Sequence, residues 1–410
     1  MIDVNEPNPP PIREKEKIKV LGAGGAGNNA INRMIEENIP DIEYIAANTD
    51  SATLDKNLAE KKILLGPNLK KGHGAGTQPE IGAQAAEESR QNIAQVIEGA
   101  DILFIAAGMG GGTGTGGAPV IAKIAKDLGI LTVAFVTMPF RSEGRKKAAI
   151  AEKGVDELLK VVDAMVVVHN QKLIEYVDEN VTVENAFMIA DEILRDGVLG
   201  ISRIILDTGQ INTDFSDIVT TLKGSGIAYM GIGREKGKGK IIDAVKKAIS
   251  SPLVETTING AGGLLFVVTG NKNKLTMRAV DEAMAYLEAM CDKDVLLING
   301  TFYTEGDSDE ITVTVIATRL PQSSLIIEET LGEIEIEDDV EYIETEKEFK
   351  TKISRKPAPT SMRPIPKEEI SDYEEDEEEN ESLKHHPLFS YNENEDSRPS
   401  LRIEPRRRQD

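Results

Sequence analysis

The sequence predicts an α/β protein with a Rossmann-like parallel-sheet domain, a long central helix, a smaller α+β domain and a disordered acidic tail. Three observations carry that expectation. Short, almost wholly apolar runs alternate with helix-length amphipathic stretches from residue 18 onward, the pattern of strands buried on both faces of a parallel sheet. Thirty-five of the 36 glycines precede residue 321. Residues 321–410 carry a net charge of −13 out of the total −23. A Gly-rich folded body is therefore joined to an acidic tail.

The apolar runs are 18–21, 44–47, 102–107, 131–137 and 165–168, and helices are expected over 83–98, 118–128 and 145–160. Residues 182–205 read as one long helix, with Thr182 as N-cap and apolar side chains on most faces. Such a helix is expected to lie buried between two bodies. Helices at 215–222, 240–250 and 276–290 and strands at 264–269, 295–298 and 311–318 follow, the last half-exposed by its Ile/Val–Thr alternation. Beyond Pro321, acidic runs at 333–341 and 372–381 bury too little apolar surface to offset chain entropy.

One cysteine, Cys291, excludes a disulfide framework or Cys-cluster metal site and fits a reducing cytoplasm. The first 17 residues lack the apolar core of a signal peptide, and no apolar run approaches the ~20 residues that span a bilayer. The acidic balance argues against nucleic acid as the main partner.

Two glycine loops are candidate phosphate sites. Gly22, Gly24 and Gly27 fit G-x-G-x-x-G between the first strand and a helix expected near Asn28, where backbone N–H groups and a helix N-terminus favour an anion. Asp50 lies 23 residues past Gly27, so this loop alone also fits an NAD-dependent dehydrogenase or a plain tight turn. The second run, Gly108 to Gly117, has seven glycines in ten residues, with Thr113 and Thr115 among them. At roughly 0.5–1 kcal/mol of chain entropy per glycine, a simple turn does not account for so many, and a polyphosphate cradle does. No Walker A sequence occurs.

The stretch Gly110-Gly111-Gly112-Thr113-Gly114-Thr115-Gly116-Gly117 resembles the signature of the tubulin/FtsZ GTPase family, and the likeness runs from about Ile18 to Thr318. It implies a GTPase of the bacterial cell-division type, which polymerises head to tail into filaments of the cytokinetic ring, in the cytoplasm at the mid-cell division site. GTP and GDP would be its nucleotides, with Mg²⁺. The implied layout is an N-terminal extension over 1–17, a GTP-binding domain over 18–181, the central helix over 182–210 and an α+β domain over 211–320. A disordered linker over 321–398 and a basic terminal peptide over 399–410 follow, the peptide meeting division-ring anchors and regulators; membrane contact would be indirect.

By the same resemblance Gly25, Ala26, Gly27, Asn28 and Asn29 meet phosphate, ribose and base, and Gly112, Thr113 and Gly114 hold the β- and γ-phosphates. Glu143 contacts ribose. The family has Arg four residues after it; here Lys147 stands there, with Arg145 nearby. Phe187 would stack on guanine and Asp191 accept from it; without the resemblance they read as core and as solvated face. Asn212, Asp214 and Asp217 would activate water in the neighbouring subunit's site, so that assembly activates hydrolysis. Read alone, Asp214 and Asp217 are ordinary helix-capping acids. No Ser/His/Asp or Cys–His set stands out, and His169 reads as structural. The terminal peptide departs from the family pattern, with Arg406, Arg407 and Arg408 near its end; it reads either as a solvated, disordered end or as a contact for anionic lipid or an acidic partner.

Overall fold

The computed structural model describes residues 15–37, 39, 41–174, 181–206, 214–237, 239–250, 257–304, 309–321, 390–391 and 399–400. The first half builds β1 (Ile18–Ala23), α1 (Gly24–Glu36), β2 (Ile42–Asn48), α2 (Ser51–Asp55), β3 (Lys61–Leu64), α3 (Pro67–Lys70), α4 (Pro79–Glu88) and α5 (Arg90–Ile97). It continues through β4 (Ile102–Gly108), α6 (Thr113–Asp127), β5 (Leu131–Met138), α7 (Arg145–Leu159), β6 (Ala164–His169) and α8 (Asn170–Ile174). Then come α9 (Val183–Leu206), α10 (Phe215–Leu222), β7 (Gly226–Ile227), β8 (Tyr229–Lys236), α11 (Ile241–Ile249), β9 (Gly263–Asn271), α12 (Met277–Glu288), β10 (Leu296–Thr304) and β11 (Glu310–Thr318). A two-residue antiparallel pair joins β12 (Ser390–Tyr391) to β13 (Pro399–Ser400).

The first sheet has seven parallel strands in the order β3-β2-β1-β4-β5-β6-β7. Strand order reverses between β1 and β4, so a crevice opens where their carboxyl ends diverge. β1 and β5 are buried along their whole length and β4 up to Ala107, which accounts for their unbroken apolar sequences. The second sheet is mixed, in the order β10-β9-β11-β8, with β10 parallel to β9 and both β9–β11 and β11–β8 antiparallel.

α9 covers the inner face of this second sheet while α11 and α12 cover the other. Ile193, Leu194, Val198 and Ile201 of α9 share one core with Phe104 and Phe135 of the parallel sheet and with Leu265, Ile298 and Phe302 of the mixed sheet. Thr182 caps it, accepting from Asn185 N at 3.2 Å. The helix also buries charge: Arg195 donates to Asp196 at 2.9 Å, and Arg234 of β8 donates to the same carboxylate at 3.0 Å.

Several elements differ from the sequence expectation for identifiable reasons. The helix expected over 83–98 is two helices, because Ser89 leaves helical geometry and its hydroxyl accepts from Gly66 N at 3.0 Å. α6 begins at Thr113, inside the glycine run, and holds Pro119 in its interior instead of at its first turn. β11 is not half-exposed: it is an inner strand, and Thr314 packs against Gly200 of α9. β8 went unrecognised because Gly231 and Gly233 interrupt its apolar pattern. A Cβ at Gly231 would lie 1.9 Å from Ala248 O, so the close seating of α11 dictates that interruption.

Candidate nucleotide site

The carboxyl ends of β1, β2, β4, β5 and β6 open onto one edge of the parallel sheet, and the predicted site residues of the first domain follow them. The first loop turns directly from β1 into α1. Gly24 adopts φ +75°, and an added Cβ would sit 2.9 Å from Gly114 N, so the two glycine loops touch backbone to backbone. Gly25 and Asn29 are exposed, with nothing within 4 Å of a Cβ at Gly25, whereas Asn28 is 1% exposed. With its amide nitrogen facing the loop, Asn28 donates to Gly22 O at 2.8 Å and accepts from Asn48 Nδ2 at 3.1 Å. Its side chain thus braces the loop, while Gly25 and Asn29 face solvent.

The second loop divides its glycines between two duties. A Cβ at Gly116 would lie 1.9 Å from Pro79 O, and one at Gly82 would lie 2.1 Å from Gly112 O, so these residues let α4 and α6 approach backbone to backbone. Gly110 has φ +94° above the Lys147 stem. Only Gly111 of this run faces open space. Glycine count alone therefore does not report a polyphosphate cradle: most of the run serves close packing. What remains for an anion is a pair of helix N-termini, of α1 and α6, converging on one crevice with their N–H dipoles.

Glu143 accepts from Phe140 N at 2.9 Å and forms an ion pair with Lys147, so these two predicted nucleotide contacts hold each other. Arg145 is exposed nearby. Phe187, 41% exposed at the start of α9, meets Phe140 edge to face with centroids 4.9 Å apart. An aromatic ring held this way by a buried neighbour offers a surface for a base. One turn further on, Asp191 is buried, with Arg33 Nε 3.5 Å away in a contact without hydrogen-bond geometry. Burial therefore outweighs the guanidinium and pushes the Asp191 carboxyl up to about 7. A carboxylate so desolvated is poised to gain from paired N–H donors.

Other contributors escaped the sequence reading. Residues 72–77 form a third loop with positive φ at Gly72, Gly74, Gly76 and Thr77; Ala75 of this loop packs where a Cβ of Gly112 would be. The alternation Gly72-His73-Gly74-Ala75-Gly76 was the available signal. Asn170, at the carboxyl end of β6, is 4% exposed and leaves Oδ1 without a hydrogen bond, as a buried acceptor awaiting a donor would. Asp50 caps α2, accepting from Ala52 N at 2.9 Å and Thr53 N at 3.3 Å. The Thr53 N–H lowers its carboxyl below the usual range, and the dehydrogenase reading loses its ribose acid.

Asp214 and Asp217 are not brought to this crevice. α1 runs from the glycine loops toward the opposite edge of the sheet, and α9 runs alongside it, Asp191 facing Arg33 and Arg195 pairing with Glu37 at 3.2 Å. At 1.5 Å per residue the 24 residues of α9 span about 36 Å away from the loops. Asp214 then opens α10, and the chain re-enters the sheet at its amino edge, where Gly226 N donates to Asp163 O at 3.1 Å. Both carboxylates are exposed at that far pole. Asn212 lies outside the described residues, as do 401–410.

The donor set suits a nucleoside triphosphate: two helix N-termini, backbone open at Gly25 and Gly111, an aromatic surface and two buried acceptors. Among the described residues no group of three or more His, Cys, Asp and Glu gathers to hold a metal. Nor is any described helix long and apolar enough to cross a membrane.

This arrangement, two glycine loops at the switch point of a parallel sheet and a buried helix leading to a mixed sheet, defines a nucleotide-binding class that comparison resolves. The model of the Tubulin/FtsZ family GTPase domain matches residues 17–178, and that of the FtsZ family C-terminal domain matches 226–321. An empty FtsZ dimer from M. jannaschii is 40% identical, with a TM-score of 0.71 over 74% of this chain and 88% of that one. A point mutant of the M. jannaschii FtsZ is likewise 40% identical, with a TM-score of 0.72 over 75% and 92%. A GTPγS-bound protofilament of CetZ2 from Haloferax volcanii shares the fold at 22% identity, with a TM-score of 0.64 over 73% and 92%. The chain belongs to the FtsZ family of tubulin-like GTPases.

Proposed function

We propose that this chain binds GTP in the crevice between α1 and α6 and hydrolyses it only within a head-to-tail filament. The observation that carries this reading is the polar separation of the two halves of the chemistry. The phosphate-facing loops stand at one end of α9 and the paired carboxylates Asp214 and Asp217 beyond the other, out of reach of a ligand in the same chain. Stacking identical subunits along that axis places the far pole of one on the crevice of the next, a heterologous contact that propagates without closing. The dimer form of the FtsZ from M. jannaschii, 40% identical to this chain, supports self-association.

In that junction Gly25, Gly111 and the N-termini of α1 and α6 receive the phosphates. Phe187 receives the purine face, and Asp191 accepts from the guanine N1 and N2 hydrogens. Glu143, released from Lys147, accepts from a ribose hydroxyl. Asp214 and Asp217 of the incoming subunit orient a water on the terminal phosphate, with Asn212 adding a hydrogen bond. Little more is required, because phosphoryl transfer depends on positioning and charge stabilisation. Mg²⁺, when bound with the nucleotide, would neutralise phosphate charge. The filament serves the cytoplasmic division ring at mid-cell, and the tail beyond Pro321 links it to anchors and regulators.

Sedimentation with phosphate release, run against protein concentration and with ATP and NADH as controls, tests this reading. Turnover per protomer is expected to rise steeply above a threshold, with GTP alone. A flat dependence on concentration contradicts a shared site.

A further inference from the structure

Three loops converge on one dipeptide that the chemistry above leaves unused. Asn48 ends β2 and Thr49 follows it; they are 4% and 1% exposed. Asn48 Nδ2 donates to Asn28 Oδ1 at 3.1 Å, and the Asn28 amide in turn donates to Gly22 O at 2.8 Å and lies 3.3 Å from Gly24 O, which fixes the first glycine loop. Thr49 Oγ1 lies 2.6 Å from Thr113 Oγ1, on the first residue of α6, which fixes the second. The Thr49 carbonyl accepts from Gly74 N at 3.0 Å, which fixes the third. Asn57, in the loop after α2, donates its Nδ2 to Asn28 O of α1 at 2.8 Å and secures the same corner.

We propose that Asn48 and Thr49 are positioning residues that hold the three phosphate-facing loops in register, and that the Thr49 hydroxyl aims the Thr113 hydroxyl at the terminal phosphate of GTP. This inference rests on the GTP site proposed above. A hydroxyl has one proton to give and two lone pairs to receive. In the buried pair, one threonine donates to the other. When a phosphate oxygen accepts the Thr113 proton, Thr49 is left as the donor to Thr113 Oγ1. The resulting chain, Thr49 to Thr113 to phosphate, polarises the outer O–H and makes it the stronger donor. It also fixes the Thr113 rotor, which otherwise turns toward any acceptor within reach. The two arms thus differ in what they sense. The Asn48 arm shapes a loop that every guanine nucleotide meets, whereas the Thr49 arm acts on the group that only a triphosphate presents.

Calorimetric titration of the full chain with GTPγS and with GDP, in Mg²⁺ and below the concentration that sediments, tests both arms. Thr49→Val, which keeps shape and removes the hydroxyl, is expected to weaken GTPγS about tenfold and GDP less than about twofold. Thr49→Ser, which keeps the hydroxyl, is expected to stay within about twofold of wild type on both nucleotides. Asn48→Ala is expected to weaken both nucleotides alike. Thermal unfolding of each variant confirms folding, and Thr49→Ala takes the place of a valine variant that does not fold. A folded hydroxyl-free variant with the wild-type ratio of GTPγS to GDP affinity overturns the aiming role, as does equal loss in the valine and serine variants. Equal loss on both nucleotides in Thr49→Val reduces Thr49 to loop packing and also overturns it. Unaltered binding by Asn48→Ala removes Asn48 from the brace. Failure of the wild-type chain to bind GTPγS at all counts instead against the proposed function.

Discussion

Asp191 offers the sharpest quantitative prediction, because it is an acid buried before any ligand arrives. Burial raises its carboxyl from 3.8 to about 7, and Arg33, 3.5 Å away, offsets only part of this. A folded-state value above the unfolded one means that the folded protein binds the proton more tightly. The stability contributed by the protonated form is fully present below about pH 4 and is lost as pH rises through about 7. The loss is on the order of 4 kcal/mol. Asp191→Asn keeps the shape and cannot ionise; it leaves Arg33 without its anion, a cost that does not vary with pH because the guanidinium stays charged. Urea denaturation of nucleotide-free wild type and Asp191→Asn across pH 4.5–8 isolates this group, since every other carboxylate cancels in the difference. The variant is expected to gain on wild type by about 3 kcal/mol between the two ends of that range, the gain developing as pH rises. A difference that stays constant with pH refutes the buried, uncompensated carboxylate. A second consequence concerns binding. If guanine takes the ionised form, GTP binding at pH 6 releases a proton that binding at pH 8 does not, as calorimetry in buffers of different ionisation enthalpy reports.

Other consequences follow from single residues. Gly116→Ala drives a methyl to within 1.9 Å of Pro79 O and is expected to lower stability by at least about 2 kcal/mol in chemical denaturation. Gly111→Ala, with nothing within 4 Å, is expected to leave stability within about 0.5 kcal/mol and to weaken GTPγS in a titration. Removal of Arg234 as Arg234→Met leaves Asp196 with Arg195 as its remaining cation among the described residues, and is expected to cost about 3 kcal/mol, read from the urea midpoint. Asp217→Ala is expected to bind GTP and to sediment as wild type does while losing nearly all phosphate release; undiminished release removes Asp217 from the chemistry.

What the sequence disclosed follows from how local each signal is. Strands such as Phe104's β4 and Phe135's β5 are buried on both faces, so their apolar runs name them without knowledge of their neighbours. The two glycine loops were legible for the same reason, each lying between a strand and a helix. The duty of each glycine was not, because Gly116 answers to Pro79 and Gly231 to Ala248, positions far away in the chain. The charges buried on α9 were hidden in the same way: Asp196 makes sense only once Arg234, on another sheet, is seen beside it. Asn170 and the loop at 72–77 carry no apolar periodicity, and only the folded chain shows that Ala75 packs on Gly112 and that Asn170 lies buried with Oδ1 unbonded. Family resemblance supplied Phe187 and Asp191, whose spacing alone fits an ordinary amphipathic helix. The structure adds the reasons: an exposed ring held by Phe140, and a carboxyl raised by burial.

Complementation in a mixture tests whether one subunit's crevice is completed by another subunit's Asp214 and Asp217. Asp217→Ala retains the crevice and lacks the far-pole acid. Asp191→Ala retains the far-pole acids and lacks the guanine acceptor. Each alone is expected to release little phosphate, whereas a mixture forms junctions in which an intact crevice meets an intact pair of acids. Phosphate release well above the sum of the two separate rates is the expected result. A mixture that cosediments yet releases no more than that sum contradicts a site shared between subunits.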